Sequence, residues 1–467
     1  MTDRPYPPAF EPALRELLGP EGVRGAEQIA LLDAGVASGN LGAGLFARPG
    51  TVPEVAATLQ LAARHGVGVV PQGGRTGLAG AALAGPGELI LSLDRLNRIE
   101  SIDADSRVAV VQAGVSLEAL DRAVAAYGLS AGIDLGARGS ATVGGMVASN
   151  AGGIDAFRYG TMRERVLGLE AALPSGAVLD MLARVRKDNS GLALRQLFIG
   201  SEGTLGVVTR IAIQLVRALP PRHAALAITA DATRAVRVMR AIESEPGLSL
   251  AAAEVMSGNH VALTAASLGI RLPVDVAAGN LATIFSVSAT GPSAAPDLLS
   301  DALTAALEAD LMIDCLCPKN AAEERDLWRI REDWAVDRQR PGGLWFDVSV
   351  PIGGLGSYLV AVQQRVRALD PALDVFVVGH LADGNLHVTV NSDVPLTTRY
   401  EEIAPLIYEG LKESGGSFSA EHGIGLEKRR SLEKWAGPVQ IDLMRSIKAV
   451  FDPRGIMNPG KVLFVPT

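Results

Sequence analysis

The sequence is poor in the residues that build disulfide scaffolds, iron–sulfur centres and membrane spans. Its two cysteines, Cys315 and Cys317, stand one residue apart, a spacing too short for an easy disulfide and without the further thiolates of an iron–sulfur cluster. No apolar run approaches the roughly 18 to 20 residues of a membrane span, and the first residues lack the pattern of a signal peptide. These absences predict a soluble cytoplasmic protein without transmembrane segments, in which both cysteines are small buried side chains.

The sequence also has fewer basic than acidic residues. The 43 lysine and arginine residues are outnumbered by 51 aspartate and glutamate residues, which gives a net charge of -8. Nucleic acid and anionic membrane surfaces are therefore not expected as partners, and an anionic substrate would need a local cationic pocket.

The chain is long enough for two or three domains, and its elements alternate in a way that is typical of α+β proteins. The apolar spacing of residues 53–65 predicts a helix, which leads into a strand and a glycine-rich loop at 66–77. Further β-branched runs predict strands up to the proline-containing break at 217–223, where we expect a domain boundary. Strands and helices alternate again beyond it, which predicts a second α+β domain.

Three glycine-rich loops occur in the first part of the chain. They cover residues 71–80, 132–153 and 200–209, and they interleave glycine with hydroxyl, amide and charged side chains. Glycine lets successive backbone N–H groups converge on a phosphate, so three such loops predict an extended ligand with a pyrophosphate, such as a dinucleotide. Neither G-x-G-x-x-G after a strand nor G-x-x-x-x-G-K-[ST] occurs, which argues against a Rossmann site and a P-loop.

From about residue 45 onwards, the sequence resembles the flavoproteins of the vanillyl-alcohol oxidase / p-cresol methylhydroxylase superfamily. The stretches DLGARGSATVGGMVASNAGG, RYGTMRERVLGLE, RKDNSG and QLFIGSEGTLGVVT are most similar to the D-2-hydroxyglutarate dehydrogenases and the related D-lactate and glycolate oxidising flavoenzymes. The resemblance implies an α+β fold, with a two-part FAD-binding domain of the p-cresol methylhydroxylase type and an α+β substrate (cap) domain built on an antiparallel sheet. Some relatives attach FAD through histidine or cysteine, but neither occurs in these loops, so noncovalent FAD is expected.

The elements and the resemblance together divide the chain and assign cofactor contacts. Four segments are predicted: an N-terminal helical segment (1–44), the FAD-binding domain (45–219), the substrate domain with a metal site (220–429) and a C-terminal segment that packs back on the FAD domain (430–467). The residues implied in FAD binding are Gly73, Gly74, Arg75, Thr76, Gly77, Ser140, Thr142, Gly144, Gly145, Ser149, Asn150, Glu202, Gly203, Val207 and Asn458.

Two of the six histidines, His380 and His387, lie on either side of an Asp-Gly pair in VVGHLADGNLHV. Asp-Gly is the favoured centre of a two-residue hairpin turn, which predicts a register with His380 directly opposite His387 on one face of the sheet. The Cβ atoms of opposed residues are about 4.5–5.5 Å apart, a span that one metal ion can bridge with two imidazoles. A surface pair or a packed core pair is the alternative.

A second motif, SFSAEHGIG, adds Glu421 and His422. Two histidines and a carboxylate suit a catalytic divalent ion, and both motifs match the metal-site motifs of the resembled family. The resemblance implies His380, His387 and Glu421 as ligands of zinc or another divalent ion and places His422 beside the substrate. A metal lowers the pKa of a substrate hydroxyl, and His422 is suited to be the general base, so it is the predicted catalytic residue.

Arg331, in the charged helical stretch 327–334, is predicted to bind a substrate carboxylate. Its position alone would indicate only a charged helix surface, and the binding role is implied by the resemblance, for which the planar guanidinium is suited. Three residues depart from the family pattern, since Ala335 replaces a threonine, Trp345 a lysine and Thr389 an asparagine. Trp345 and Thr389 are therefore predicted to line a less polar substrate pocket.

These features predict an FAD-dependent, metal-assisted dehydrogenase that oxidises a D-2-hydroxy acid to the 2-oxo acid. The substrate is expected to be D-lactate-like or more apolar than D-2-hydroxyglutarate, with D-2-hydroxyglutarate itself as an alternative. Because no nicotinamide fingerprint is present, the electron acceptor is expected to be an electron-transfer flavoprotein or a quinone. A flavin-binding electron-transfer subunit and a metal hydrolase without flavin stay open, and a homodimer is compatible with the sequence.

Overall fold

The computed structural model describes residues 6–289 and 295–464, and the chain forms two compact units. The first unit comprises Met1–Ala218 and Glu421–Thr467, and the second comprises Leu219–Ala420. Each unit has its own sheets and its own packed helices.

The unit boundaries differ in one place from the predicted segments. The first change of unit falls within the segment 217–223, where the sequence predicts a boundary. Residues 421–429, however, belong to the first unit, whereas the sequence predicts them as the end of the substrate domain. Residues 1–5 and 465–467, at the ends of the predicted terminal segments, lie outside the described residues.

The strands are mostly buried, as their runs of valine, isoleucine, leucine and alanine predict. Those of the first unit form a mixed four-stranded sheet in the order β1-β2-β4-β3, an antiparallel five-stranded sheet in the order β5-β6-β10-β8-β9 and a pair, β11-β7. In chain order the strands are β1 (Val23–Gly25), β2 (Leu45–Ala47), β3 (Val69–Gln72), β4 (Leu89–Ser92), β5 (Ile99–Asp103), β6 (Val108–Gln112), β7 (Leu129–Ser130), β8 (Val166–Ala172), β9 (Val178–Met181), β10 (Val207–Gln214), β11 (Val216–Arg217), β12 (His223–Thr229), β13 (Leu248–Ser257), β14 (Leu281–Ala289), β15 (Asp314–Leu316), β16 (Leu344–Ser349), β17 (Asp374–His380) and β18 (Asn385–Asn391).

The predicted helix over 53–65 is confirmed; Thr51 caps it by accepting the N–H of Glu54, and the left-handed Gly66 ends it. Within the described part of the chain, no helix is long and apolar enough to cross a membrane. The helices are α1 (Phe10–Leu18), α2 (Ala26–Ile29), α3 (Val52–His65), α4 (Leu117–Ala125), α5 (Val143–Ser149), α6 (Ala156–Tyr159), α7 (Met162–Arg165), α8 (Arg195–Phe198), α9 (Ala232–Glu243), α10 (Gly258–Leu268), α11 (Ala295–Glu308), α12 (Ala321–Glu332), α13 (Ala335–Gln339), α14 (Leu355–Leu369), α15 (Tyr400–Tyr408), α16 (Arg429–Trp435) and α17 (Pro438–Phe451).

The second unit is built on one antiparallel sheet of seven strands, in the order β15-β12-β14-β13-β17-β18-β16. This confirms the predicted α+β domain on an antiparallel sheet. Helices α10 and α12 pack on one face, where Met256, Ile284 and Ile330 share a core. Towards β17, β18 and β16 the same face carries the predicted metal ligands His380 and His387 and the predicted substrate residues Trp345 and Thr389.

The prediction that both cysteines are buried is wrong. Cys315 is partly exposed and Cys317 is exposed. Cys315 lies in β15, which pairs with β12 alone among the described strands, and Cys317 follows the end of this edge strand.

Candidate active site

The hairpin β17–β18 carries both predicted histidine ligands, but its register differs from the prediction. His380 lies opposite Asn385, and His387 lies opposite Val378. The two histidines are therefore diagonal neighbours, and the expectation that they are directly opposed is wrong.

The cause is a turn of four residues, 381–384, in place of the predicted two-residue Asp-Gly turn. The N–H of Gly384 donates to the carbonyl of His380 (3.0 Å), and the N–H of Asn385 donates to the side chain of Asp383 (3.1 Å). The longer turn shifts the pairing of β17 with β18 by two residues from the predicted register. Because side chains alternate between faces with a period of two, both histidines stay on one face, and their ring centroids are 5.6 Å apart.

Four neighbouring strands place side chains in rows on this face of the second unit. Residues directly opposite one another on antiparallel strands point to the same side of the sheet, and so do residues two apart along a strand. The predicted metal and substrate residues of these strands thus share one surface. The three rows are Glu254–His380–Asn385, Val378–His387–Asp347 and Phe376–Thr389–Trp345.

Glu254 is a carboxylate, 1% exposed, that joins His380 to Arg331. Its Oε1 lies 2.8 Å from Nδ1 of His380, and its Oε2 lies 2.9 and 2.7 Å from Nε and Nη2 of Arg331. Burial raises the pKa of Glu254, but the charges of His380 and Arg331 together lower it by more, so the carboxyl is ionised more readily than usual. Nη1 of Arg331 takes no part in these two contacts, so it can donate a hydrogen bond to a substrate carboxylate.

Asp347 also faces His387, but at a longer distance than that between Glu254 and His380. Its Oδ1 lies 3.5 Å from Nδ1 of His387 and accepts a hydrogen bond from Nδ2 of Asn385 (2.8 Å), while its Oδ2 accepts the N–H of Ala420 (3.1 Å). Each imidazole therefore turns Nδ1 towards a buried carboxylate. In known metal sites, such an arrangement orients the imidazole and makes Nε2 the coordinating nitrogen.

The sequence analysis missed Glu254, Asp347 and Asn385 as site residues. A signal exists for the first, because Glu254 is the single charged residue in the apolar strand LSLAAAEVMS. A buried carboxylate needs charged or polar partners, so such a residue indicates a polar cluster. Asp347 gives the same signal within LWFDVS.

In the first unit, the loops 71–80 and 132–153 meet backbone to backbone. A Cβ on Gly73 would lie 2.2 Å from Oγ1 of Thr142, and one on Gly74 would lie 1.8 Å from the carbonyl oxygen of Ser140. Any side chain at these two glycines would collide with the neighbouring loop. The structure thus brings together two of the three loops predicted to bind FAD.

Several predicted FAD residues use their side chains within the protein. Arg75 donates through Nε to the carbonyl of Asp33 (2.9 Å), Thr142 accepts the N–H of Gly145 (3.2 Å), and Ser149 donates to the carbonyl of Gly145 (3.1 Å). A ligand would therefore meet these loops largely through their backbone. The other predicted FAD residues lie in the loops or at the ends of elements. Thr76 and Gly77 are in the first loop, Gly144 is in α5 and Asn150 ends that helix. Gly203 lies against Pro71, and Val207 begins β10.

Two buried amide oxygens at the loops have no hydrogen-bond partner among the described residues, Oδ1 of Asn458 and Oε1 of Gln72. The amide nitrogen of Asn458 is bonded, since it donates to the carbonyls of Ala81 (3.0 Å) and Glu202 (2.7 Å). A buried acceptor without a donor is costly, so both oxygens suit a ligand that brings N–H or O–H groups. The flavin ring and ribityl chain of FAD carry such groups.

Glu202 is buried in a left-handed conformation and binds the protein backbone. Its carboxylate accepts the N–H groups of Ile424 (2.7 Å) and Gly425 (2.8 Å). Burial raises the pKa of Glu202 to about 7, although the two N–H groups and Lys428 act in the opposite direction. These bonds are the physical reason that residues 421–429 belong to the first unit.

Replacing Glu202 with glutamine is expected to remove a pH-dependent part of the stability of the first unit. A carboxyl whose pKa rises from 4.5 to about 7 on folding stabilises the folded state below pH 4.5, and this stabilisation is lost as the pH rises through 7. The free energy of unfolding should change by about 3 kcal/mol over this range. The urea midpoint of the wild-type protein should fall over this range, and that of Glu202→Gln should fall much less. Glu118→Gln, on the exposed surface of α4, is the control, and equal slopes in all three proteins would contradict the prediction.

Glu421 and His422 open the returning segment of the first unit. Oε2 of Glu421 accepts the N–H of Gly153 (3.3 Å), in the second glycine-rich loop, and Nε2 of His422 lies 3.7 Å from Oε1 of Glu421. The predicted ligand and the predicted base thus stand side by side at one of the predicted FAD loops.

Comparisons with known proteins agree with this architecture. The family model described as "FAD binding domain" matches residues 43–182, and that described as "FAD linked oxidases, C-terminal domain" matches residues 220–462. Mitochondrial D-2-hydroxyglutarate dehydrogenase of Bos taurus is 37% identical over 424 residues, which cover 89% of this chain and 76% of that protein. D-2-hydroxyglutarate dehydrogenase of Xanthomonas citri pv. viticola is 36% identical over 423 residues, which cover 89% of this chain and 88% of that protein.

Solved structures show the same fold at low sequence identity. p-Cresol methylhydroxylase with substrate bound superposes with a TM-score of 0.72 at 17% identity, covering 98% of this chain and 97% of its own. 4-Ethylphenol oxidase from Gulosibacter chungangensis, in complex with isoeugenol, gives 0.71 at 19% identity, covering 100% and 99%. The predicted fold class is therefore confirmed.

Together the fold and the family models define an FAD-dependent oxidoreductase. The chain belongs to the FAD-linked oxidase family that includes the D-2-hydroxyglutarate dehydrogenases. This assignment excludes the alternative of a metal hydrolase without flavin.

Proposed function

We propose that this FAD-dependent dehydrogenase oxidises a D-2-hydroxy acid to the 2-oxo acid with the help of a divalent metal ion. The observation that carries the proposal is the pair of buried carboxylates, Glu254 and Asp347, which face Nδ1 of His380 and His387. Histidines packed together for a structural reason alone would not each need a carboxylate at the same ring nitrogen. Metal-binding histidines commonly direct their second ring nitrogen at a carboxylate, a backbone carbonyl or a water.

His380, His387 and Glu421 would hold the ion, and two imidazoles with one carboxylate suit zinc. Such an ion lowers the pKa of an oxygen bound to it, as zinc lowers that of water from about 15.7 to about 7. Ala420, at the end of the second unit, donates its N–H to Asp347, so this carboxylate is itself held by the backbone.

FAD would be held noncovalently by the glycine-rich loops of the first unit and would accept the hydride of the substrate. The close approach of Gly73 and Gly74 to the second loop supports this, as do the unsatisfied oxygens of Asn458 and Gln72. We propose an electron-transfer flavoprotein or a quinone as the next electron acceptor. The cytoplasmic location and the homodimer stay predictions of the sequence.

The side chains of the protein would bind the substrate and take its proton. Nη1 of Arg331 would bind the carboxylate next to the reacting carbon, while Glu254 fixes the guanidinium through the other two nitrogens. A ring nitrogen of His422 would accept the proton of the substrate hydroxyl. Orientation by buried groups makes such contacts effective because little freedom is lost on binding.

The substrate side chain is proposed to be smaller or more apolar than that of 2-hydroxyglutarate. Trp345 places an indole in the row next to His387, Thr389 opposite it is buried, and Ala335 is fully buried at the start of α13. The names of the relatives favour a second candidate, D-2-hydroxyglutarate itself.

Anaerobic mixing of the purified protein with D- and L-2-hydroxy acids tests the proposal. Flavin absorbance should bleach with one or more D-acids, and treatment with a chelator should slow bleaching until zinc is restored. Metal analysis of the untreated protein should find about one ion per chain, as expected for a single site with three protein ligands. Absence of bleaching with every acid would favour an electron-transfer subunit, and bleaching that the chelator leaves unchanged would refute the role of the metal.

A further inference from the structure

Two large aromatic side chains, Trp334 and Trp345, lie exposed beside the polar face of the second unit. Their ring centroids are 5.1 Å apart at an interplanar angle of 34°, yet they are 51% and 39% exposed. Half of the four tryptophans of the chain are thus found at one place. Covering exposed indole surface with another apolar or aromatic group is favourable, so an exposed aromatic pair points to a ligand.

The position of Trp345 in the sheet links this pair to the histidines. Trp345 precedes Asp347 by two residues on β16 and lies opposite Thr389 of β18, which makes it a diagonal neighbour of His387 on the same face. Diagonal neighbours are about 7–8 Å apart, within reach of a long aromatic side chain. The other tryptophan follows Arg331 by three residues, just beyond the end of α12.

The indole of Trp345 packs against the indole of Trp334, which follows the end of α12 in the chain. This contact restricts the orientation of both rings. An aromatic surface that is ordered in advance loses little conformational entropy when a ligand binds.

The charges near this pair are unsuited to a second carboxylate on the substrate. Arg338 pairs with Asp333 at 2.6 Å, and Arg340 pairs with Asp374. A substrate side chain that ends here would therefore meet indole surface and cations whose charge is already balanced.

We propose that Trp334 and Trp345 bind the side chain of the substrate and that the preferred substrate is a D-2-hydroxy acid with an aromatic side chain. This inference rests on the proposed function, because Arg331 is needed to bind the carboxylate at the other end of the molecule. Stacking between aromatic rings adds about 2- to 12-fold in affinity beyond the burial of apolar area. A carboxylate-terminated or a methyl side chain does not gain this contribution.

Rapid-mixing measurements of flavin bleaching, under anaerobic conditions, test the inference with four acids. D-3-phenyllactate should show an apparent Kd about tenfold or more below those of D-lactate and D-2-hydroxyglutarate. D-3-cyclohexyllactate, which is larger and apolar but not aromatic, should bind more weakly than D-3-phenyllactate. Calorimetric titration with phenylpyruvate, the corresponding 2-oxo acid, gives a readout that needs no turnover.

Variants of the pair separate a substrate contact from simple packing. Trp345→Leu and Trp334→Leu should each weaken D-3-phenyllactate binding by about 5- to 10-fold and weaken D-lactate binding by less. Trp345→Phe and Trp334→Phe keep a stacking surface and should retain most of the binding. Trp435→Phe, in α16 of the first unit, is the control.

The outcomes distinguish this inference from the proposed function. Bleaching by D-lactate or D-2-hydroxyglutarate without a preference for the aromatic acid would overturn the inference and leave the proposed function standing. Equal losses for D-lactate and D-3-phenyllactate in the leucine variants would also overturn it. Failure of all four acids to bleach the flavin would overturn both.

Discussion

The Glu254→Gln variant is expected to bind zinc about 10- to 100-fold more weakly than the wild-type protein. Glutamine has nearly the same shape but no charge, and its amide nitrogen cannot accept the hydrogen bonds that Arg331 and His380 direct at the carboxylate. His380 would lose the contact that orients its ring. The variant should therefore lose metal at chelator concentrations that leave the wild-type protein loaded.

The same substitution is expected to destabilise the second unit. Glu254 is fully buried between an arginine and a histidine, and removing one partner of a buried ion pair leaves an uncompensated charge at a cost of about 3–5 kcal/mol. Binding of the substrate carboxylate should weaken as well, because Arg331 would lose the contact that fixes its guanidinium. The urea midpoint, the metal content after dialysis and the KM for the D-2-hydroxy acid measure the three effects.

A matched control separates loss of metal from loss of stability. Glu170 in the first unit is also buried and also contacts an arginine. Its carboxylate accepts a hydrogen bond from the hydroxyl of Thr209 (2.7 Å) and lies 3.4 Å from the guanidinium of Arg210. Glu170→Gln should lower the urea midpoint and leave the metal content unchanged. If Glu254→Gln keeps its zinc as tightly as the wild-type protein does, the role assigned to the carboxylate is wrong.

The hairpin illustrates why part of this site could be predicted from sequence although its register could not. Turn length depended on contacts that the local sequence does not contain, such as the bond from the N–H of Leu381 to the carbonyl of Ala253 on the neighbouring strand. The prediction nevertheless placed His380 and His387 on one face, because the error was two residues and strand side chains alternate with a period of two. An error of one residue would have separated the histidines.

For Glu254, the sequence indicates a buried charged residue but does not predict what this residue contacts. Its partners His380 and Arg331 are 126 and 77 residues away in the chain, and they meet only because β13 pairs with β17 beside α12. The apolar pattern of β13 predicts a buried strand, but it does not predict which strand lies next to it. Glycine-rich motifs were more informative, since their long specific sequences identified the FAD-binding domain directly.

The Lys448→Met variant is expected to destabilise the first unit by about 3–5 kcal/mol and to release FAD. Lys448 of α17 is 8% exposed, and its ammonium group donates to the carbonyls of Thr204 (2.6 Å) and Met457 (2.7 Å) and to Asp452 (2.5 Å). Burial lowers the pKa of Lys448, and the hydrogen bond and charge of Asp452 act in the opposite direction. Methionine fills a similar volume but removes the ammonium group from two buried carbonyls and from Asp452, which keeps only the N–H groups of Ile456 (3.1 Å) and Met457 (2.7 Å).

Release of FAD should follow because Lys448 joins the C-terminal segment to the third glycine-rich loop. Thr204 lies in that loop, and Met457 precedes Asn458, whose amide nitrogen donates to the carbonyl of Glu202. A segment that detaches at Lys448 would carry Asn458, with its unsatisfied oxygen, away from the loops. The fluorescence of released flavin and the urea midpoint should therefore change together in Lys448→Met and remain at wild-type values in Lys434→Met, on the exposed side of α16. A lower midpoint with FAD fully retained would mean that the C-terminal segment stabilises the fold without helping to hold the cofactor.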